Sequence, residues 1–141
     1  VAQLIEYELF LNNEFVFRQK ADGLIVSTST GSTAYSLSGN GPIVHPDVKA
    51  ITLLPMFPHS LNTTSLVVDD STDIKIKILG KRKAKLSLDS HNYLNLNIND
   101  EVEITKNNEE VTLIHPLTHN FYSACRTKLG WSLSFSETKE T

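Results

Sequence analysis

A run of hydroxyl-bearing side chains surrounds a glycine in the first third of the chain. Residues 27–33 read Ser-Thr-Ser-Thr-Gly-Ser-Thr, with Gly31 among them. Glycine lets a ligand approach the backbone closely, and the hydroxyls supply many hydrogen-bond donors and acceptors. Such a turn is suited to bind the oxygen atoms of a phosphate or a sugar.

The elements that must position this run are a strand before it and a short helix after it. Residues 24–26 are apolar and mostly β-branched, and residues 33–38 allow at most two helical turns before the stop signal at residues 39–42. The first N–H groups of a helix lack intrahelical partners and carry partial positive charge, which favours an anion. The same hydroxyls would equally serve to cap the helix and the turn, and the residue types leave both interpretations open. The run is not a Walker loop, because it lacks the G-x-x-x-x-G-K-[ST] pattern.

Three further polar stretches are candidates for a binding site. Asp22 precedes the strand and could bind a ribose hydroxyl or pair with Lys20, although Asp-Gly is also a common β-turn. Residues 55–60, Pro-Met-Phe-Pro-His-Ser, predict a stiff loop that shapes a pocket or an interface. Residues 89–92 are either a hairpin tip or a polar cluster that reaches a ligand, and the pattern favours the tip.

Composition excludes several classes of function. A net charge of −3 argues against a broad cationic surface for nucleic acid or an anionic membrane, and the basic residues 81–85 are interpreted as a solvated hairpin tip. No apolar run approaches the roughly 20 residues of a membrane span. Cys125 is the only cysteine, which fits the reducing cytoplasm, and no histidine has zinc-site spacing. The chain starts at Val1, inside a strand pattern and without Met, which suggests that a preceding domain has been removed.

Alternation of apolar and polar residues predicts a mainly β fold made of two packed, sandwich-like β-sheets with short helices. The 141 residues are expected to form one domain, with a flexible polar tail at residues 136–141. A helix is predicted at residues 120–129, ended by Gly130. The predicted strands and turns are a hairpin over residues 4–17 that turns at Asn12-Asn13; a strand at 51–54 stopped by Pro55 and Pro58; strands at 65–68 and 74–78; a turn at 80–83 into a strand around 85–88; one continuous strand pattern from 94 to 104; and a hairpin turn at 107–108 into a strand at 111–114.

Three stretches together resemble the NAD kinase family. The longest is residues 22–38, which continues with Gly41-Pro42-Ile43 and His45-Pro46. Residues 50–59 and the C-terminal Thr127-Lys128-Leu129-Gly130-Trp131 are also similar, particularly to bacterial members. The resemblance covers essentially the whole chain in register, and it identifies the chain as a C-terminal domain of this family.

The resemblance implies a fold and an activity. The family has an N-terminal α/β domain and a mainly β C-terminal domain, and the cleft between them takes NAD. It transfers the γ-phosphoryl group of ATP, with Mg²⁺, or in some members a phosphoryl group of polyphosphate, to the adenosine-ribose 2′-hydroxyl of NAD and so produces NADP. The chain would supply the NAD-binding and oligomerisation domain of a cytoplasmic homodimer or homotetramer, with no nucleic acid or membrane as partner.

Two family motifs are missing, namely Gly-Gly-Asp-Gly-Thr, whose aspartate is thought to activate the 2′-hydroxyl, and an Asn-Glu pair expected upstream of Val1. We therefore expect no catalytic residue in this chain and no activity in the isolated fragment. The alternative is a non-catalytic dinucleotide-binding or assembly module on the same fold. A lipid kinase would share the overall plan but would not predict residues 30–35, Thr-Gly-Ser-Thr-Ala-Tyr.

The resemblance also assigns roles to individual residues. Those expected to bind NAD are Lys20, Asp22, Thr33, Ala34, Tyr35, Ser36, Leu37, Ser38 and His91. Weaker candidates are Gln3 and Thr30. Phe57 and His59 belong to a loop that is expected to reach the site of a neighbouring subunit. No residue of the chain is expected to bind a metal ion.

Overall fold

The computed structural model describes residues 4–60 and 64–130. The chain divides into two units, Val1–Asn107 and Asn108–Thr141. Short antiparallel strands build the described part of the first unit, and they are β1 (Ile5–Leu11), β2 (Glu14–Ala21), β3 (Gly23–Thr28), β4 (Ala50–Met56), β5 (Leu66–Asp69), β6 (Ile74–Leu79), β7 (Ala84–Leu88), β8 (Asn92–Leu96) and β9 (Glu101–Ile104). The helical elements are a 3₁₀ helix (Thr30–Thr33), α1 (Tyr35–Ser38) and, in the second unit, α2 (Phe121–Leu129).

The predicted first hairpin is confirmed, and its turn explains the paired asparagines. Strands β1 and β2 pair antiparallel up to the partners Leu11 and Glu14. Asn12 and Asn13 both have positive φ, 50° and 63°, a conformation that asparagine tolerates better than most residues. The Asn12 side chain also accepts a hydrogen bond from the backbone N–H of Asp73 at 2.9 Å, which ties the turn to the start of β6.

The predicted pair of packed sheets is also confirmed. One sheet has the strand order β2-β1-β6-β9 and the other has the order β3-β4-β5. Leu9 and Ile74 of the first sheet pack with Ile51 and Leu53 of the second, and all four side chains are buried. Every second residue of a strand points to the same face, so this contact fixes the inner face of each sheet.

A second core cluster joins a small third sheet to the first. Strands β7 and β8 form this two-stranded sheet, and Ala84 of β7 is buried with Tyr7, Ala21 and Ile78. Tyr7 donates a hydrogen bond to the buried Gln19 side chain at 3.2 Å, and burial raises the pKa of the Tyr7 hydroxyl. The basic residues 81–83 therefore connect two different sheets, and the prediction that they form the tip of a hairpin was wrong.

Strand β4 runs through Pro55, so the prediction that Pro55 stops it was wrong. The backbone N–H of Asp22 donates to the Met56 carbonyl at 2.9 Å, which directs the polar groups of Met56 towards β3. The preceding residue, Pro55, therefore turns its nitrogen away from β3, towards the side of β5. Strand β5 pairs with β4 only as far as Leu53, so no ladder hydrogen bond is lost there.

The predicted continuous pattern from residue 94 to residue 104 is interrupted by a turn. Asn99 has a positive φ of 70°, and the Asp100 carboxylate accepts from the backbone N–H of Asn97 at 2.7 Å. Strand β8 pairs with β7, whereas β9 pairs with β6 in the larger sheet. Ile98 therefore lies in the turn, and the alternation that continues across it belongs to two separate strands.

The prediction of a hairpin turn at residues 107–108 and a strand at residues 111–114 was wrong. In the described part of the chain, residues 105–116 form no strand, and the apolar side chains of residues 111–114 are exposed. Alternation of residue types predicts a strand, but a strand also needs a neighbouring backbone to pair with.

The predicted C-terminal helix is confirmed, and both of its ends are capped. The Asn120 side chain accepts from the backbone N–H of Ser123 at 3.0 Å, and Gly130 is left-handed with a φ of 61°. Arg126 and Lys128 in the last turn complement the helix dipole. The predicted flexible tail and Trp131 lie outside the described residues. No helix in residues 4–60 and 64–130 is long and apolar enough to cross a membrane.

Candidate functional site

The hydroxyl-rich run forms the predicted strand, turn and short helix. Strand β3 ends at Thr28, Ser29 starts the turn, and the 3₁₀ helix and α1 follow. Helical backbone therefore begins at Thr30, three residues earlier than the sequence indicated. The turn packs on the outer face of the β3-β4-β5 sheet. Gly39 lies close to this face, since a Cβ built on it would be 3.0 Å from the Leu54 side chain and 3.3 Å from the Ile25 side chain.

The side chains of the run divide into a buried set and an exposed set. Ser29, Ser32 and Ser36 are buried. They stand three and four residues apart, which is the spacing of one face of a helix. The residues of the exposed set are Thr28, Thr30, Ala34 and Ser38. Thr33 and Leu37 are partly exposed, so they and the exposed set are accessible to a ligand.

Ser32 and Ser29 anchor the turn to the chain that follows it. The Ser32 hydroxyl donates to the Ser29 carbonyl at 2.7 Å and accepts from the Val44 N–H at 2.9 Å. The Ser29 hydroxyl donates to the Val48 carbonyl. These two hydroxyls therefore have a structural role, although Ser29, the N-cap residue of the 3₁₀ helix, makes no capping hydrogen bond with its side chain. This role of Ser29 and Ser32 was not predicted, although the helical spacing of the serines was a signal that could have revealed it.

Helix α1 ends in a motif that requires a glycine at residue 41. Asn40 is left-handed with a φ of 64°, its N–H donates to the Leu37 carbonyl, and the Gly41 N–H donates to the Ser36 carbonyl at 2.8 Å. This is the double hydrogen bond of a Schellman cap. A Cβ on Gly41 would lie 2.3 Å from the Ser36 hydroxyl and 2.7 Å from the Ser36 carbonyl oxygen, so no other residue fits without movement.

Replacing Gly41 with alanine is therefore expected to destabilise the domain by about 1–3 kcal/mol, because the new methyl group must displace the end of α1. Urea unfolding followed by circular dichroism measures the change. Gly23→Ala is the matched control, since its Cβ would meet only the Met56 sulfur at 3.8 Å. Equal stability of the two variants would contradict the close contact between Gly41 and Ser36.

A second group of candidate residues meets at the corner between β2 and β3. The Asp22 N–H bonds to the Met56 carbonyl, and the His59 N–H bonds to the Lys20 carbonyl at 3.0 Å. These two backbone bonds hold the loop after β4 against the corner. Lys20, Asp22 and His59 are all exposed there. Backbone hydrogen bonds thus bring together residues that lie almost forty positions apart in sequence.

Phe57 adds an unusual conformation to this loop. It has a positive φ of 46°, and its side chain is 76% exposed. A bulky residue rarely adopts this conformation, and an exposed large aromatic ring gains no burial from it. Strained residues of this kind cluster at binding sites, where the surrounding structure holds them in place.

An open cleft of about 550 Å³ lies between β2 and the loop that follows β4. It contains the cationic side chains of Arg18 and Lys20 together with His59. Arg18 is already paired with Glu6 at 2.9 Å. The remaining lining residues are Val16, Phe17, Gln19, Ser60, Thr64 and Leu66. The mixture of cationic, hydroxyl and apolar groups is suited to an anionic ligand that also has a flat apolar part.

The other candidates lie elsewhere. His91 is exposed at the tip of the β7–β8 hairpin, as the pattern of residues 89–92 predicted, and its N–H donates to the Leu88 carbonyl at 3.1 Å. In the part of the chain that the structure describes, no hydrogen bond or ion pair joins His91 to the hydroxyl-rich turn. Gln3 lies outside the described residues. Among those described, no group of three or more His, Cys, Asp or Glu side chains could hold a metal ion.

The comparison with known families agrees with this architecture of packed antiparallel sheets around a hydroxyl-rich turn. Residues 1–116 match the family model described as the ATP-NAD kinase C-terminal domain. The match covers most of the chain, and the chain therefore belongs to that family.

Curated relatives and solved structures give the same result. The chain is 47% identical over 138 residues to the NAD kinase of Chromohalobacter salexigens, covering 96% of this chain and 47% of that protein. It is 50% identical over 133 residues to the NAD kinase of Pseudoalteromonas translucida, covering 93% and 45% of the two chains. The chain thus spans about half the length of these relatives.

Two solved structures have the same fold. A yeast NADH kinase complexed with NADH has a TM-score of 0.82 and 33% identity, covering 94% of this chain and 41% of the other. An NAD kinase from Archaeoglobus fulgidus in complex with ATP has a TM-score of 0.68 and 28% identity, covering 76% and 41%. The resemblance noted in the sequence is therefore confirmed at the level of the family and of the fold.

Proposed function

We propose that this chain is the NAD-binding part of an NAD kinase, which transfers the γ-phosphoryl group of ATP to the adenosine-ribose 2′-hydroxyl of NAD. The observation that carries the proposal is membership of the ATP-NAD kinase C-terminal domain family. Similarity to a kinase whose structure contains NADH supports a dinucleotide as the ligand of this domain.

The geometry suits a role in holding the acceptor. The Asp22 carboxylate is exposed and accepts hydrogen bonds, so it can take a sugar hydroxyl or the nicotinamide amide. The exposed side of residues 30–38 lies beside the dinucleotide, while the buried Ser29 and Ser32 keep the backbone there in one conformation. Fixing an acceptor in place can contribute about 7–11 kcal/mol to lowering a barrier.

The chemical step itself needs groups from outside this chain. The 2′-oxygen forms a bond to the γ-phosphorus, the bond to the β,γ-bridging oxygen breaks, and a base takes the proton of the hydroxyl. We assign that base to the aspartate of the Gly-Gly-Asp-Gly-Thr motif in a preceding α/β domain. ATP would carry Mg²⁺ in the full-length enzyme, and no group of three or more His, Cys, Asp or Glu side chains among the described residues could hold the ion.

We also propose that the enzyme is a cytoplasmic homodimer or homotetramer. The loop that contains Phe57 and His59 would contribute to the NAD site of a neighbouring subunit. Its exposed aromatic ring and the open cleft beside it are consistent with contact to a second molecule. His91 and Gln3 stay candidates for NAD contact in the assembled enzyme.

The test is the reaction catalysed by the full-length protein. Incubation with NAD, ATP and Mg²⁺ should give a product whose new ³¹P resonance is that of a 2′-phosphomonoester. The isolated 141-residue chain should give none. Binding of NAD without turnover in the full-length protein would contradict the kinase and support the non-catalytic module instead.

A further inference from the structure

The outer face of the β2-β1-β6-β9 sheet carries a regular pattern of charges. Glu8 stands between two buried residues of β1, so its side chain points away from the core. It pairs with Arg18 of β2 on one side and with Lys77 of β6 on the other, and Lys77 pairs in turn with Glu101 of β9. Arg18 also forms an ion pair with Glu6, the next outward residue of β1, at 2.9 Å. Because paired residues share a face, one row across the four strands is cation, anion, cation, anion.

The neighbouring row adds two aromatic rings to this pattern. Its residues, in the same order of strands, are Phe15, Phe10, Lys75 and Glu103. The two rings meet edge to face with their centroids 5.7 Å apart, and the Lys75 ammonium lies 4.9 Å from the centre of the Phe10 ring. We call the eight residues of the two rows the charged face, and all of them are exposed or partly exposed. The charged face offers both charge and apolar area, as contacts between proteins do.

The order of the charges makes this face complementary to itself. A rotation by 180° about an axis parallel to the strands, in the plane of contact, reverses the strand order β2-β1-β6-β9 and keeps each row at its own level. Arg18 then faces Glu101 of a second copy, and Glu8 faces Lys77 of that copy. A rotation about an axis perpendicular to the strands in the same plane would place each strand on itself and each charge on its own sign. Only the first rotation gives a two-fold contact in which opposite charges meet.

We propose that the charged face is a contact between two copies of this protein, whose sheets stack about a two-fold axis parallel to the strands. This inference rests on the proposed homo-oligomer and specifies one of its surfaces. Four strands about 4.8 Å apart and six residues long present about 400 Å². A stable interface buries about 800 Å² on each partner, so this face is a second contact beside that of the loop with Phe57 and His59. Two different two-fold contacts close a homotetramer.

Charge reversal in the full-length protein, followed by light scattering, tests this contact. Glu8→Lys and Lys77→Glu each place like charges opposite one another across the axis, so each variant alone should have half the mass of the wild-type tetramer. An equimolar mixture should recover the full mass, because the new lysine of one variant then faces the new glutamate of the other. Charge pairs within one sheet cannot explain this recovery, since mixing changes no neighbour within a chain. A mixture that stays at half the mass would overturn the proposal, and so would single variants of wild-type mass.

Two further variants sharpen the result, with circular dichroism as the check that each is folded. The double variant Glu8→Lys/Lys77→Glu should have the wild-type mass, since its exchanged charges still face opposite charges. Asp47→Lys is the matched control, because the Asp47 side chain is 92% exposed in the loop before β4 and should not affect assembly. A loss of mass in Asp47→Lys as large as in Glu8→Lys would contradict the assigned face. Kinase activity is not the readout, so an inactive protein that passes these tests would refute the proposed function and still support the contact.

Discussion

Asp22→Ala in the full-length protein is expected to raise the KM for NAD by about 10- to 100-fold. A hydrogen bond to a charged group contributes about 1.5–3 kcal/mol, and Asp22 is proposed to accept from the dinucleotide with its carboxylate. The fold should be intact, because the fold uses the backbone N–H of Asp22, which bonds to Met56, and an alanine keeps that group. Steady-state kinetics with varied NAD measure the effect.

The change should be specific for NAD and for this position. Asp22 lies on the proposed acceptor site, so the KM for ATP should change by less than about twofold. Glu14→Ala is the control, since Glu14 is an exposed acid at the opposite end of β2 from Lys20. An unchanged KM for NAD in Asp22→Ala, or an equal increase in Glu14→Ala, would refute the role of the carboxylate.

Ser32→Ala is expected to lower the free energy of unfolding of this domain by about 1–3 kcal/mol and to weaken the use of NAD. The hydroxyl is fully buried, and its loss leaves the Val44 N–H and the Ser29 carbonyl without the bonds that it makes. The turn would then lose its anchor to Val44, whereas the bond from Ser29 to Val48 would be kept. Urea unfolding and the KM for NAD together measure the two effects.

Ser27→Ala is the control for Ser32→Ala. It shows whether the loss of any hydroxyl in the run has the same effect as the loss of the buried anchor. Within residues 4–60 and 64–130, the Ser27 hydroxyl donates only to the neighbouring Thr28 carbonyl, at an exposed position. Its removal should cost less than about 1 kcal/mol and should not change the KM for NAD. Loss of stability in Ser27→Ala as large as in Ser32→Ala would show that burial of the Ser32 hydroxyl is not the cause.

Features that depend on neighbouring residues were predictable from the sequence. The Asn12-Asn13 turn follows from the tolerance of asparagine for positive φ, and the C-terminal helix follows from apolar spacing and Gly130. The strand, turn and helix around Gly31 were also found, because glycines and hydroxyls mark such turns within a few positions.

Features that depend on distant residues were not predictable. Pro55 stands inside a strand because β5 ends before it, and this is a property of the partner strand. Residues 111–114 have strand alternation without a strand to pair with. Two of the candidates, Lys20 and His59, lie far apart in the sequence. A backbone hydrogen bond joins them, and no local sequence pattern predicts this bond. The general rule is that residue patterns indicate which elements a segment can form, whereas pairing between strands decides whether a strand forms and where it ends.

We propose that the hydroxyl-rich turn and Asp22 hold the dinucleotide acceptor and are not an ATP phosphate loop. Backbone amide NMR of isotopically labelled full-length protein tests it directly, with NAD and ATP added in separate titrations. NAD should shift the resonances of Asp22 and of residues 30–38, and ATP alone should leave them in place. Shifts of these amides with ATP and none with NAD would refute this assignment of the site.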